Sequence, residues 1–243
     1  NQIVMQKTFL ILALALATLS SCSNDDEGNK QEIPSLGAIL QPAVGGPNQP
    51  NQVYVDLSTS KTDAIPRGSW DFGFSTGAEY RVILNGALKM AVKKLETTDI
   101  SLPQTADAAV AVGGGTILAS NGFVDNPTGV LEGAGAGVGT AIAAVAANDA
   151  ENKVYLVNLG FAVSTTTPGV GSVSLDGEAR GWKKIRILRN GNGYKIQYAD
   201  LSATTFTEKT IAKDSNFNFA FFSLFEGKTV TVEPQKTKWD LNF

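Results

Sequence analysis

Cys22 is the one cysteine in a chain of 243 residues, so its thiol has no intramolecular disulfide partner and its chemistry must involve another molecule. It follows Leu19, Ser20 and Ser21, a leucine and two small side chains of the kind that precede a cysteine accepting a diacylglyceryl group. Ahead of them stand Lys7 and the apolar run Phe9 to Leu19, which is too short for the ~20 residues that a membrane-spanning helix needs. The pattern predicts a signal peptide over residues 1–21, cleavage before Cys22, and a lipid on Cys22 that holds the chain to a membrane.

Histidine is absent. That removes the usual general base, the commonest metal ligand and the nucleophilic triads that depend on it. One cysteine without histidine also excludes a structural zinc site. The spacing of Asp and Glu singles out no catalytic pair, so no enzyme activity is expected. Glycines at every second position of residues 133–139 do not make a dinucleotide fingerprint, which needs Gly-x-Gly-x-x-Gly opening a helix. Gly227-Lys228-Thr229 has Phe222 where a phosphate-binding loop needs glycine. A net charge of −3 and a pI near 5.1 argue against a nucleic-acid partner, which calls for a basic face.

The elements that would position any site are short strands. Residues 23–52 begin with Ser23-Asn24-Asp25-Asp26-Glu27 and continue rich in Pro, Gly and Asn. Such a stretch buries too little apolar area to offset its ordering entropy, and it reads as a tether, partly packed around Leu36 to Leu40. From Val53 the pattern turns β. Trp70, Phe72 and Phe74 alternate with Asp71 and Gly73, which places the three aromatics on one strand face. Tyr80 to Leu84 followed by Asn85-Gly86 predicts a hairpin, with residues 87–95 returning and Leu88, Met90 and Val92 sharing a face. Further strands are expected over Lys153 to Phe161 and Phe217 to Leu224. Lys184 to Arg189 should pair with Tyr194 to Ala199 across Asn190-Gly191-Asn192-Gly193. The fold class is all-β, mainly antiparallel, with a long Gly-rich excursion from Ala106 to Gly139.

Trp70-Asp71-Phe72-Gly73-Phe74 recurs as Trp239-Asp240-Leu241-Asn242-Phe243, and comparable runs begin at Leu57 and at Leu224. The repeat predicts one β domain over residues 53–215 and the beginning of a second, truncated copy over 216–243.

Val53 to Leu57, the Trp-Asp-x-x-Phe motif at Trp70, Tyr80 to Gly86 and the strand from Lys153 to Leu159 together resemble the HmuY-like proteins, lipid-anchored haemophores of Bacteroidetes. The acidic run beside Cys22 is similar to the signal that exports lipoproteins to the outer surface in those bacteria. The resemblance implies an all-β fold, an outer-membrane location facing the exterior, and capture of haem or a porphyrin for delivery to an outer-membrane transporter. The best-known members hold haem iron with two histidines, and some relatives use methionine. Met90 is the one methionine after Cys22 and thus the candidate iron ligand, although Leu88 and Val92 beside it at strand spacing make it a natural core filler. Tyrosine can also ligate haem iron, but Tyr54, Tyr80, Tyr155, Tyr194 and Tyr198 all lie in strand-like runs. Trp70, Asp71, Phe74, Trp239, Asp240 and Phe243 are expected to be structural. The competing reading is a haem-free adhesion, scaffold or glycan-binding module on the same fold.

Overall fold

The sequence alternates short β-branched and aromatic runs with turn residues, and among the described residues of the computed structural model these runs become fourteen strands. It describes residues 37, 39–113, 123–132, 139–173 and 176–243. Cys22 and the central part of the Gly-rich excursion lie outside the described residues.

Three sheets are stacked. The middle one runs in the order β13 (Lys228–Val230), β12 (Phe219–Ser223), β3 (Phe72–Ser75), β4 (Val82–Leu84). One neighbour runs β11 (Thr207–Ile211), β10 (Gly193–Ala199), β9 (Trp182–Asn190), β6 (Val154–Asn158), β5 (Ala91–Lys94). The other is a three-stranded sheet of β14 (Leu241–Asn242), β1 (Asn51–Asp56) and β2 (Lys61–Pro66). β7 (Phe161–Val163) and β8 (Asp176–Ala179) form a separate two-stranded ribbon. Every pairing is antiparallel, as the sequence predicts.

Period-two alternation builds the cores. Phe72, Phe74, Val82, Leu84 and Phe222 project from one face of the middle sheet onto Val157, Ile185, Ile187, Tyr194 and Ile196 of the five-stranded sheet. Tyr194 is wholly buried, and its hydroxyl donates to Ser75 O at 2.8 Å. On the opposite face of the middle sheet, Phe221 and Ile83 meet Trp70, Tyr54 and Trp239.

Several expectations need correction. Trp70 does not share a face with Phe72 and Phe74. It precedes β3 and turns to the other side, where its ring meets Phe221 edge-on at 4.8 Å. Glycine at position 73 leaves that side open, because a Cβ there would lie 2.7 Å from Ile83 Cγ1. Asn85-Gly86 is not a hairpin turn either. The Asn85 amide is buried and donates to Arg67 O and Trp70 O at 2.7 and 2.8 Å, so it knits the preceding loop instead of adopting positive φ. A short 3-10 turn over Gly86–Leu88 follows, Lys89 takes the left-handed conformation at φ 58°, and the chain crosses to pair β5 with β6.

The β structure begins before Val53, the expected start of the domain. Asn51 and Gln52 already belong to β1, and the Asn48 amide donates to Ser164 O and Thr166 O. Residues 216–243 do not begin a separate module. They supply β12, β13 and β14, pairing with β3 and β1 inside the compact unit that spans Leu40–Phe243.

Candidate functional site

The Trp-Asp motif is a junction between sheets. Asp71 Oδ2 accepts from the Leu224 backbone N–H at 2.7 Å, and Oδ1 takes the Arg180 guanidinium at 2.7 Å, with the Asp71 side chain only 1 % exposed. Its own N–H donates to Phe222 O, and its carbonyl accepts from Asn85. A carboxylate so enclosed is a structural anchor, because its oxygens are occupied and no solvent reaches it. Phe74 lies wholly in the main core. At the recurrence, Trp239 is half-buried while Asp240 and Phe243 are exposed.

Open clefts gather around the segment that runs from β11 into β12. A cleft of about 520 Å³ is lined by Ser75 to Glu79, Leu131, Ser215, Phe217 to Phe219 and Lys236. A second, of about 240 Å³, uses the other side of Phe217 and Phe219 with Thr229 to Glu233. Phe217 and Phe219 are half-buried and shared by both clefts. The lining therefore combines two aromatic rings with hydroxyl and amide groups from Thr76, Ser215 and Asn218. That suits a ligand offering a flat apolar face and a polar rim.

Two cations stand on an aromatic ring at the edge of this region. Lys213 Nζ lies 3.7 Å from the centre of the Tyr80 ring, and the Arg189 guanidinium 4.1 Å from it. Lys213 also donates to Gly77 O and Glu79 O at 2.6 and 3.0 Å, and burial lowers its pKa from the ordinary lysine value. These contacts fix the 77–80 turn that walls the larger cleft.

Glu233, 4 % exposed, backs the smaller cleft. Its Oε1 accepts from the N–H groups of Asn218 and Phe219 at 2.5 and 2.9 Å. Burial nevertheless raises its pKa above the ordinary value, with those hydrogen bonds opposing the rise. The folded state therefore holds this proton more tightly than the unfolded state, and the group's contribution to stability falls as pH rises from the ordinary glutamate range through the folded pKa. The two backbone donors share Oε1, and the Asn218 side chain donates to the carboxylate as well, so Glu233→Gln keeps the backbone bonds while deleting the buried charge. The variant is expected to unfold at higher urea than the parent chain at pH 7, and the gap should narrow as pH is lowered. Urea midpoints across pH 4 to 8 measure it.

A family model described as HmuY protein matches residues 48–218. The chain belongs to the HmuY family. No curated protein and no solved structure matches it. The match begins at the Asn48 anchor, covers β1 to β11, and ends just before β12. Among the described strands, β12, β13 and β14 lie beyond the matched residues.

Haem, the ligand for which the HmuY family is known, tests poorly against the side chains present. Met90, the candidate ligand, is 1 % exposed and packs in the main core with Leu88 and Val92, so its sulfur has no access to a cofactor. The tyrosines are engaged as well. Tyr54 stacks edge-on with Trp239, Tyr155 Oη accepts from Ala143 N–H, Tyr194 Oη donates to Ser75 O, and Tyr80 Oη donates to Gly191 O beneath its two cations. Burial raises the pKa of Tyr54, Tyr155 and Tyr194, which disfavours the phenolate that iron would require. Tyr198, half-buried, packs edge-on to Phe222. Neither Met90 nor any of the five tyrosines is placed to coordinate haem iron.

Arg180, Glu233 and the Lys213–Tyr80–Arg189 stack carry no local sequence signal. Arg180 pairs with Asp71 across 109 positions, a separation no local pattern reveals. The comparable runs at Leu57 and Leu224 mark the two backbone N–H groups that Asp240 and Asp71 receive.

Proposed function

We propose that this HmuY-family chain is a non-catalytic binding module, anchored at the outer-membrane surface through a lipid on Cys22, that takes its ligand without coordination of iron by protein. The observation that carries this reading is the burial of Met90 in a chain without histidine. Its binding region is the pair of clefts on either side of Phe217 and Phe219, where rings, hydroxyls and amides suit a glycan better than a metal centre. Membership of the HmuY family favours a second reading, in which a porphyrin stacks in the larger cleft with no axial bond and is passed to an outer-membrane transporter.

Calorimetric titration of residues 23–243 with haemin, and in parallel with iron-free protoporphyrin, separates these readings. The haem-free module gives no saturable heat with either compound. Stacking without coordination gives equal affinity for both and loses it in Phe217→Ala. A preference of tenfold or more for haemin shows that the iron is bound by protein, and it overturns both.

A further inference from the structure

The Trp-Asp repeat is used reciprocally. Each copy of the motif docks on the strand that belongs to the other copy. Trp70 packs on Phe221, Asp71 N–H donates to Phe222 O, and the Asp71 carboxylate receives Leu224 N–H at 2.7 Å. Trp239 packs on Tyr54, Asp240 N–H donates to Val55 O, and the Asp240 carboxylate receives Leu57 N–H at 2.8 Å. The ring pairs match at 4.8 Å and 70° against 5.0 Å and 76°. Strand register matches too, with Phe222 opposite Phe72 as Val55 is opposite Leu241, and Phe221 opposite Gly73 as Tyr54 is opposite Asn242. One recognition unit, a hairpin strand receiving a Trp-Asp segment, thus occurs twice with its donors crossed over.

The two docks differ in depth. Asp71 is enclosed and paired with Arg180, and Trp70 Nε1 donates to Gln52 Oε1. Asp240, Leu241, Asn242 and Phe243 are exposed, β14 pairs over two residues with Phe243 adding a reciprocal pair of backbone hydrogen bonds to Val53, and the buried Trp239 Nε1 has no acceptor among the described residues. The approach to the shallow dock has a sharp boundary. Val232 and Glu233 are buried, Gln235 to Lys238 are exposed, and the docked segment follows at once.

We propose that segment 239–243 exchanges between two copies of this chain, each seating its Trp239-Asp240 on the partner's Tyr54–Leu57 strand, with residues 234–238 as the hinge. The exchange forms no contact that the single chain lacks. A short hinge gives the segment a high effective concentration on its own strand, so the closed monomer dominates in dilute solution and the exchanged dimer grows with concentration.

Shortening the hinge tests this, because a segment that cannot reach its own strand can still reach a partner's. Residues 23–243 lacking Gln235 to Thr237 are expected to be dimeric by light scattering at 10 µM. Trp239→Ala in the same background is expected to restore the monomer. Mixing full-hinge Trp239→Ala, a defective donor, with full-hinge Tyr54→Ala, a defective acceptor, is expected to give a heterodimer at concentrations where each alone is monomeric, since one intact dock survives in the mixed pair. A monomeric deletion variant, association that Trp239→Ala leaves unchanged, or a mixture without heterodimer overturns the proposal.

Discussion

Asp71→Ala is expected to lower the unfolding free energy by about 3–5 kcal/mol, the usual cost of removing one partner from a buried ion pair. Asp71 is 1 % and Arg180 18 % exposed at the side chain, so the guanidinium would be left largely out of water with no countercharge. The loss goes further than the pair, because the buried N–H of Leu224 also loses its acceptor. The equivalent change in the second copy of the motif supplies the internal control. Asp240 is exposed and receives one N–H from Leu57, so Asp240→Ala should cost about 1 kcal/mol, as an ordinary hydrogen bond does. Urea unfolding of the two variants measures the contrast, and equal costs would contradict the anchoring role given to Asp71.

Met90→Ala should cost about 2–5 kcal/mol, the range for emptying a buried methionine site in a packed core. Met90→Leu, which conserves volume, should cost less than about 1.5 kcal/mol. The burial of Met90 between Leu88 and Val92 in the main core decides both values. Neither variant is expected to alter the absorption spectrum of haemin mixed with the protein, because the sulfur faces other side chains. A large spectral effect of Met90→Leu with stability intact would move Met90 from the core to the ligand site.

Much of the fold is legible in the sequence wherever the forces are local. Lys184 to Ile187 and Tyr194 to Tyr198 alternate polar with apolar residues on either side of a Gly-rich turn, and β9 pairs with β10 with Ile185 opposite Tyr198 and Ile187 opposite Ile196. Asn85-Gly86 carries the same turn signal and fails, because its amide is bound by carbonyls from residues 67 and 70. A tertiary contact there outweighs the local preference. The face of Trp70 is misread for a related reason, since alternation continues only while the chain remains a strand and β3 begins at Phe72.

The repeat is legible, but its pairing is not. Similarity between residues 70–74 and 239–243 shows two copies of one segment, and it cannot show which hairpin each copy joins. The structure answers with crossed pairing, so β12 joins β3 and β14 joins β1 in the same compact unit. The site is the least legible part. Phe217 and Phe219 read as an aromatic strand, and only the packing of β12 against β3 and β13 leaves the start of that segment bordering two clefts.

The most direct test of a HmuY-family module without iron coordination is the Soret spectrum of ferric haemin titrated with residues 23–243 at pH 7. No conversion to a sharp, low-spin, six-coordinate band is predicted at any protein excess. A saturable low-spin band with one-to-one stoichiometry would contradict the account.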